Sequence, residues 1–309
     1  MKRLISFLLT AVLLLCLTAC RGTQSNSAET DRVQIMAAMF AEYDFARQIA
    51  GGCAEISMLL PPGADMHSYE PTPKNIIDIK DSDLFIYGGG ESDSWLDGVL
   101  ESVGGETKTV KMMDACELLH EEEHSGESHG HDEDEYDEHV WTSPKNTIKI
   151  AAAIADALCS IDEKNSDAYR KNEAEYIAKL EKLDSDFRLT VDAAKRKEVV
   201  FADRFPLLYF AEEYGLSYLA AFPGCSHDTE ASAGKVRELI DRVKADGIPV
   251  VFKIEMSSPT LAETVAEETG AKVLEFNSCH AISKAQLDGG ETYLSLMRQN
   301  LENLKVALN

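Results

Sequence analysis

Short apolar runs alternate with amphipathic segments along most of the chain. The first half has four apolar or alternating runs, three of which end in turn residues: VQIMAAMF, EISMLLPPG, LFIYGGG and TKTVKMMD. Helix-like stretches such as TPKNIIDIKDSD and SDSWLDGVLESV lie between them. After residue 197 the rhythm returns, with the strands EVVFAD, LSYLAAF, IPVVFKIE and KVLEFNS and the helices SAGKVRELIDRVKADG, LAETVAEETG and YLSLMRQNLENLKVAL. This β-α-β rhythm predicts mainly parallel sheets covered by helices on both faces.

A long amphipathic segment, residues 166–196, separates the two sets of strands. No proline or glycine interrupts it, and a mostly apolar seam recurs at alternating four- and three-residue steps: Tyr169, Glu173, Tyr176, Leu180, Leu183, Phe187 and Val191. At ~1.5 Å per residue the segment predicts one helix of roughly 46 Å. A coiled-coil dimer arm is the alternative use of this seam, but packing on the rest of the chain serves a short single seam equally well.

The predicted architecture is α/β, with two β/α lobes of mainly parallel sheets joined by one long bridging helix. Ligands of open α/β sheets bind beyond the carboxyl ends of the strands, so two facing lobes predict a cleft there. The predicted segments are a signal peptide (1–20), a tether (21–31), an N-terminal lobe (32–160) with a histidine- and acid-rich loop (117–138), the bridging helix (161–196) and a C-terminal lobe (197–309).

The first residues have the pattern of an export signal. Lys2 and Arg3 precede the apolar run LISFLLTAVLLLCL, which is short for a membrane-spanning helix. The run ends in LTAC, which resembles the bacterial lipobox and predicts that Cys20 is lipidated. An ordinary cleaved signal with a chance cysteine is the alternative. The following RGTQSNSAETD has no apolar residue to pack and predicts a polar tether.

The charge of the chain bears on its partners. It has 54 acidic and 30 basic residues and a net charge of −24. Nucleic acids and anionic membranes need clustered lysine and arginine, so this balance argues against both as partners. It suits the capture of cations, although solubility outside the cell explains an acidic surface equally well.

The cysteines leave the disulfide pattern open. Five follow Cys20: Cys53, Cys116, Cys159, Cys225 and Cys279. An odd number outside the cytoplasm leaves at least one unpaired in a monomer. Cys225 and Cys279 both end apolar runs in the second half, so these two could pair.

Three histidines follow predicted strands or open helices on the cleft side. His67 lies in PPGADMHSYEPTP after the strand EISMLL, His139 opens HVWTSPKN before a helix starting near Lys145, and His280 follows the strand KVLEF. A lone histidine is usually structural, but three at one cleft predict the ligands of a borderline cation. Zinc takes such nitrogen ligands, usually with a fourth N, S or O donor. A metal cleft between the lobes is therefore expected.

These motifs resemble those of the zinc- and manganese-binding solute-binding proteins of bacterial ABC importers, the ZnuA/TroA-like family. PPGADMHSYEPTP resembles the first ligand motif, with His67 as ligand, and DEHVWTSPKN the second, with His139. NSDAYRKNEAEYIAKL and YLSLMRQNLENLKVAL resemble the bridging and last helices. The resemblance implies high-affinity capture of a divalent metal by a monomer anchored by lipid to the outer face of the cell membrane, and delivery to an ABC permease. An acidic, histidine-rich insertion before the second motif is typical of the zinc-selective branch, so we expect Zn(II), with Mn(II) as the alternative.

The second lobe departs from the family pattern. The segment that resembles H-D-A-F-x-Y is ADRFPLLYF, which puts Ala202 at the position of the third ligand, and the final aspartate aligns with Asn277. Alanine cannot coordinate and asparagine is a weak ligand, so we predict that His280 replaces them. The other second-lobe histidine is His227. Candidates for a fourth donor are Glu255, Asp203, Cys279 and water.

The acidic stretch HSGESHGHDEDEYDEH holds four of the eight histidines of the chain. With a metal site at its base, the loop predicts an accessory collector that raises the local metal concentration through weak donors. The collector loop runs from His120 to Glu138, and its imidazoles are those of His120, His124, His129 and His131. A solvated charge run with no metal role is the alternative.

Other functions need different features. A zinc hydrolase would need an open coordination position and a general base, for which Glu70 or Glu255 could serve. No HExxH motif is present and the candidate ligands lie on separate loops, so we predict no enzyme activity. A surface adhesin and a degenerate, metal-free relative are compatible with the same fold.

Overall fold

Two four-stranded sheets organise the computed structural model, which describes residues 32–64, 69–102, 107–120, 136–224 and 231–309. The first sheet, in the order β2-β1-β3-β4, consists of β1 (Val33–Ala37), β2 (Ala54–Met58), β3 (Leu84–Tyr87) and β4 (Lys108–Lys111). The second, in the order β6-β5-β7-β8, consists of β5 (Glu198–Arg204), β6 (Ser217–Phe222), β7 (Val250–Ile254) and β8 (Lys272–Phe276). All neighbouring strands pair in parallel. The predicted α/β class with two parallel sheets is confirmed.

Helices connect the strands. The first half contains α1 (Phe40–Ala50), α2 (Pro73–Lys80), α3 (Trp95–Ser102), α4 (Pro144–Ile161) and α5 (Ser166–Asp192). The second half contains α6 (Leu208–Tyr214), α7 (Ala233–Asp246), α8 (Thr260–Thr269), α9 (Lys284–Asp288) and α10 (Tyr293–Ala307). Local chemistry fixes several ends: Thr72 forms a capping box at α2, and Ser143 caps α4 just before a proline. Gly247 ends α7 in the left-handed conformation that an L side chain disfavours.

The long helix α5 has the predicted apolar seam on its buried side. Six seam residues are buried: Tyr169, Tyr176, Leu180, Leu183, Phe187 and Val191. The ring of Phe187 lies 4.9 Å from that of Phe210 in α6, and the ring of Tyr176 lies 6.4 Å from that of Phe45 in α1. The seam therefore packs on both halves of the same chain, which leaves no apolar stripe for a coiled-coil partner.

The helix ends earlier than its sequence predicts. The prediction extends to residue 196, whereas α5 ends at Asp192. Ala193 still donates its amide to Leu189 O, but Arg196 donates its amide to Leu308 O at the end of α10. Because the amide of Arg196 is bound to Leu308 O, Arg196 does not continue the helix, and the chain proceeds to β5.

One apolar core runs across both sheets, and a second, smaller one lies in the second half. The smaller core includes Val200, Ala202, Leu239, Val243 and Val251, from β5, β7 and α7. Because side chains alternate along a strand, Phe201 faces the main core while Val200 and Ala202 face the smaller one.

Several predicted features fall outside the described residues. They are the signal peptide, the tether and Cys20 at the N-terminus, His67, most of the acidic loop with His124, His129 and His131, and Cys225 with His227. In the part of the chain that is described, no helix is long and apolar enough to cross a membrane.

Candidate metal centre

Two of the three predicted histidine ligands meet where the two halves of the chain come together. His139 directly precedes the 3₁₀ turn Val140–Thr142, and His280 follows the end of β8 by four residues. Their ring centroids are 5.7 Å apart, with the ring planes at 79°. The indole ring of Trp141 lies 5.4 Å from each imidazole. One imidazole from each half is thus held beside the other.

The ring of His139 is oriented by a carboxylate. His139 is fully buried, and Asp137 Oδ1 accepts its main-chain amide at 2.8 Å and lies 3.2 Å from its Nδ1. A proton on Nδ1 suits this contact, which assigns the lone pair to Nε2. A carboxylate that orients a histidine ring in this way is a common support of zinc ligands.

The ends of the acidic loop form a narrow neck just before His139. His120 and Tyr136 form an antiparallel bridge with their rings 4.5 Å apart, and the amide of Asp137 donates to Leu119 O at 2.9 Å. The hydroxyl of Tyr209, in α6, donates to Asp137 O at 2.7 Å and accepts the amide of Leu119 at 3.1 Å. Tyr209, a residue of the second half, therefore forms hydrogen bonds with both segments of the neck.

The loop that carries His280 is organised around the side chain of Glu255. Glu255 accepts the amide and the hydroxyl of Ser278 at 2.7 and 2.6 Å, the amide of His280 at 3.1 Å and that of Ala281 at 3.4 Å. Burial raises the pKa of Glu255 above its ordinary value.

The same loop is joined to the first half. Trp141 Nε1 donates to Ser278 O at 2.9 Å. Gly63, four residues before His67, donates its amide to Ile282 O at 2.9 Å, two residues after His280. The segment that leads to His67 and the loop of His280 are therefore bonded to each other. No three metal-ligating side chains converge within the described ranges, so a three-histidine site needs a donor such as His67 from outside them.

The family model described as "Zinc-uptake complex component A periplasmic" matches residues 35–307, which is most of the chain. The chain belongs to this ZnuA family. ZnuA of Bacillus subtilis, a "High-affinity zinc uptake system protein", is 33% identical over 309 residues, covering 98% of this chain and 96% of that protein.

A further relative, with a solved domain structure, comes from Streptococcus pneumoniae. The zinc-binding lipoprotein AdcA is 33% identical over 307 residues, covering 97% of this chain. The chain spans only 60% of the length of AdcA. The crystal structure of the Zn(II)-bound ZnuA-like domain of AdcA has a TM-score of 0.77 at 31% identity, covering 90% of this chain and 99% of that domain. The match to the two-lobed ZnuA fold is thus nearly complete.

The positions that depart from the ZnuA pattern have structural roles. Ala202 faces the smaller core, on the opposite side of β5 from Phe201. Asn277 is buried, and its main chain forms two hydrogen bonds of 2.7 Å with the side-chain amide of Asn300. Asn277 Oδ1 accepts the amide of Cys279 at 2.8 Å. Ala202 thus contributes to packing and Asn277 to the local hydrogen bonds, and the loss of a ligand at each position stays a prediction.

The candidates for a fourth donor are occupied by other contacts. Asp203 accepts the amide of Arg204 at 2.8 Å, the amide of Ile254 at 3.0 Å and the hydroxyl of Ser257. Cys279 has a free, fully buried thiol whose pKa burial raises well above its usual range. The thiolate that metal binding requires is disfavoured there. The pairing with Cys225 stays a prediction, because Cys225 lies outside the described residues.

Sequence reasoning missed the residues that support the histidines. Asp137 stands two positions before His139 in DEH, a signal that was available. Tyr209 is 72 positions from Asp137 along the sequence. The hydrogen bond from Trp141 to Ser278 joins residues that are 137 positions apart. No local sequence pattern predicts such contacts.

Three buried carboxyls, those of Glu42, Asp93 and Glu138, lie near Trp141. Glu138 accepts the hydroxyl and amide of Ser92, and Asp93 accepts the amide of Gly89 at 2.9 Å. Burial raises the pKa of Asp93 to about 6 and that of Glu42 well above its usual range, and the neighbouring acidic side chains add to both shifts. A Cβ at Gly88 would lie 3.2 Å from Asp93 Oδ2, a tight contact, and 4.0 Å from the Trp141 ring, an ordinary one.

Proposed function

We propose that the chain captures a divalent metal outside the cytoplasm, Zn(II) in preference to Mn(II), and delivers it to an ABC permease. The observation that carries the proposal is the pairing of His139 and His280, one imidazole from each half, at 5.7 Å. A site that draws ligands from two lobes can open by a small relative movement. The names of the zinc-uptake relatives from Bacillus subtilis and Streptococcus pneumoniae support the same role.

We propose His67, His139 and His280 as the metal ligands. Three neutral imidazoles favour zinc, because manganese favours carboxylate and water. Water completes a tetrahedral shell most simply, since Asp203 and Glu255 accept main-chain amides and Cys279 is sealed in the core. The loop with His120, His124, His129 and His131 acts as the accessory collector.

The anchor and the assembly state belong to the same proposal. Lipidation at Cys20 would hold the protein at the outer face of the cell membrane, as the name of the lipoprotein AdcA suggests for that relative. A Cys20→Ser variant is then expected in the soluble fraction or unprocessed. The long helix buries its seam within the chain, which supports a monomer.

Hydrolysis is the less favoured function. A general base needs a carboxylate that can take a proton from water, whereas Glu255 accepts several hydrogen bonds from its own loop. Glu70 is exposed to solvent. Ester or peptide turnover that disappears on chelation would favour the hydrolase instead.

A competition titration of the purified protein tests the proposal. We expect one tight zinc site, weaker manganese binding, and a large loss of zinc affinity in His67→Ala, His139→Ala and His280→Ala. His227→Ala is the matched control and should bind zinc like the wild type. Equal zinc affinities of the wild type and His280→Ala would contradict the assignment of His280.

A further inference from the structure

The loop after β8 converges on one carboxylate. Its residues Ser278–Ala281 direct three amides and one hydroxyl to the two oxygens of Glu255, at 2.6 to 3.4 Å. Glu255 itself is only 6% exposed and stands at the end of β7, the neighbouring strand. Glu255, directly after a strand of the second sheet, therefore provides the common acceptor for the donors of this loop.

The conformation of this loop needs such an acceptor. Cys279 has a φ of +60°, in the left-handed region that a side chain other than glycine rarely adopts. The turn at Cys279 directs the amides on both sides of it, those of Ser278 and His280, to the same carboxylate. A strained residue persists only where its surroundings hold it, and here the hydrogen bonds to Glu255 do so.

A second support comes from the first half. Trp141 Nε1 donates to Ser278 O at 2.9 Å, while its ring lies 5.4 Å from the imidazoles of His139 and His280. The imidazole of His280 is thus held from its own half by Glu255 and from the other half by Trp141.

The same contacts argue against Glu255 as a metal donor. An oxygen turned toward a metal would leave the amides of Ser278 or His280 buried without an acceptor, which is costly. His280 is attached to the carboxylate by its own amide, so the carboxylate acts on the main chain of the ligand rather than on the metal.

We propose that Glu255 is a positioning residue, which sets the loop of His280 so that the imidazole faces His139 before the metal arrives. This inference rests on the proposed function. It assigns to Glu255 a role distinct from the metal ligands.

The test compares Glu255→Gln and Glu255→Ala with a matched control. Gln keeps one acceptor oxygen but turns an NH₂ toward an amide donor, and Ala removes both acceptors. The control is Glu275→Gln, because Glu275 lies on the adjacent strand and forms its ion pair with Lys253 on the sheet. Zinc affinity should fall about 10–100-fold in Glu255→Gln, further in Glu255→Ala, and not in the control. Unchanged zinc affinity in both Glu255 variants would overturn the proposal.

Cobalt substitution separates positioning from ligation. At saturating Co(II), the visible ligand-field bands of Glu255→Gln should match those of the wild type, whereas His280→Ala should change them. Bands altered in Glu255→Gln as in His280→Ala would make Glu255 a ligand and overturn the proposal.

A readout without metal separates this inference from the proposed function. In the metal-free protein, the nuclear Overhauser contact between the rings of His139 and His280 should weaken in Glu255→Gln while that between His139 and Trp141 persists. If the Glu255 variants do not fold, Ser278→Ala, which removes one hydroxyl bond, should show the same weakening to a smaller degree. An unchanged contact in the variants overturns the positioning role, whereas a wild type without tight zinc binding contradicts the proposed function.

Discussion

At the scale of single residues, the candidate site depends on groups that touch the histidines rather than on the histidines alone. Asp137 binds both the amide and the ring of His139, and Trp141 contacts both imidazoles. Such supports fix a ligand in the orientation that the metal requires, so that little ordering remains when the metal binds.

Asp137→Asn should weaken zinc binding about 10–100-fold, because an amide orients the imidazole less well and favours the wrong tautomer. Competition titration measures this loss. Asp114→Asn, at an exposed aspartate after β4, is the control and should bind zinc like the wild type. Wild-type affinity in Asp137→Asn would show that the ring does not need this carboxylate.

Trp141→Phe should lower the free energy of unfolding by about 1–3 kcal/mol, since the buried carbonyl of Ser278 loses its donor. Trp95→Phe, at a half-buried tryptophan, is the control without a hydrogen bond, because the indole nitrogen of Trp95 makes none with the described residues. Urea unfolding of the metal-free proteins measures both changes. Equal losses in the two variants would mean that ring volume, not the hydrogen bond, carries the effect.

At the scale of elements, the neck of the acidic loop and the helix α5 have separate tasks. The neck ends at Tyr136, and Asp137 and His139 follow it directly, so the boundary between the collector and the tight site is sharp. The helix α5 instead holds the two halves together through its seam.

Deletion of residues 121–135, which keeps the pairing residues His120 and Tyr136, should preserve one tight zinc site and remove several weaker ones. A deletion of residues 121–137 also removes Asp137 and should weaken the tight site. Titration calorimetry on the two deletions distinguishes them. If the shorter deletion abolishes tight binding, the loop itself supplies a ligand; if it leaves the stoichiometry unchanged, the loop does not collect metal.

Leu180→Ala should lower the free energy of unfolding by about 2–5 kcal/mol, because Leu180 is fully buried in the seam of α5. Leu189→Ala, on the same helix but 65% exposed, should change it by less than about 0.5 kcal/mol. Denaturant unfolding at two protein concentrations measures both. A midpoint that rises with protein concentration would indicate that the seam pairs between chains.

At the scale of the whole molecule, one apolar core crosses both sheets, and buried carboxyls lie within it beside the site. The predicted domain limits stay a prediction. Burial favours the neutral forms of the Glu42 and Asp93 carboxyls, as it does for Glu255, and therefore raises their pKa values.

The stability contributed by a neutral Asp93 is present below its unfolded pKa and is lost as the pH rises through the folded pKa of about 6. Asp93→Asn should therefore be nearly neutral at pH 4 and stabilising at pH 7 by up to about 3 kcal/mol, as a pKa difference of about two units implies. Urea unfolding of the metal-free protein at the two pH values measures this. The exposed Asp288→Asn should show no such pH dependence, and a destabilised Asp93→Asn at pH 7 would contradict the prediction.

Much of the fold could be predicted from the sequence because it depends on local patterns. The eight predicted strands all form, and α5 follows the seam read from Tyr169 to Val191, because apolar periodicity fixes which face of an element is buried. The differences lie at the ends of elements: the run VQIMAAMF predicts a strand through Phe40, where α1 already begins, and α5 stops at Asp192 rather than at residue 196. Ends are set by caps and tertiary bonds such as that from Arg196 to Leu308.

The sequence alone determined the family motifs, the acidic loop and which residues could bind a cation, because these are matters of residue type and spacing along the chain. Only the tertiary structure decided that His139 and His280 meet, that Ala202 faces a core, and that Glu255 is bound to the loop of His280. The ligand assignments themselves stay a prediction. Contacts between residues more than twenty positions apart depend on how two sheets and a long helix pack, and no local spacing encodes that arrangement.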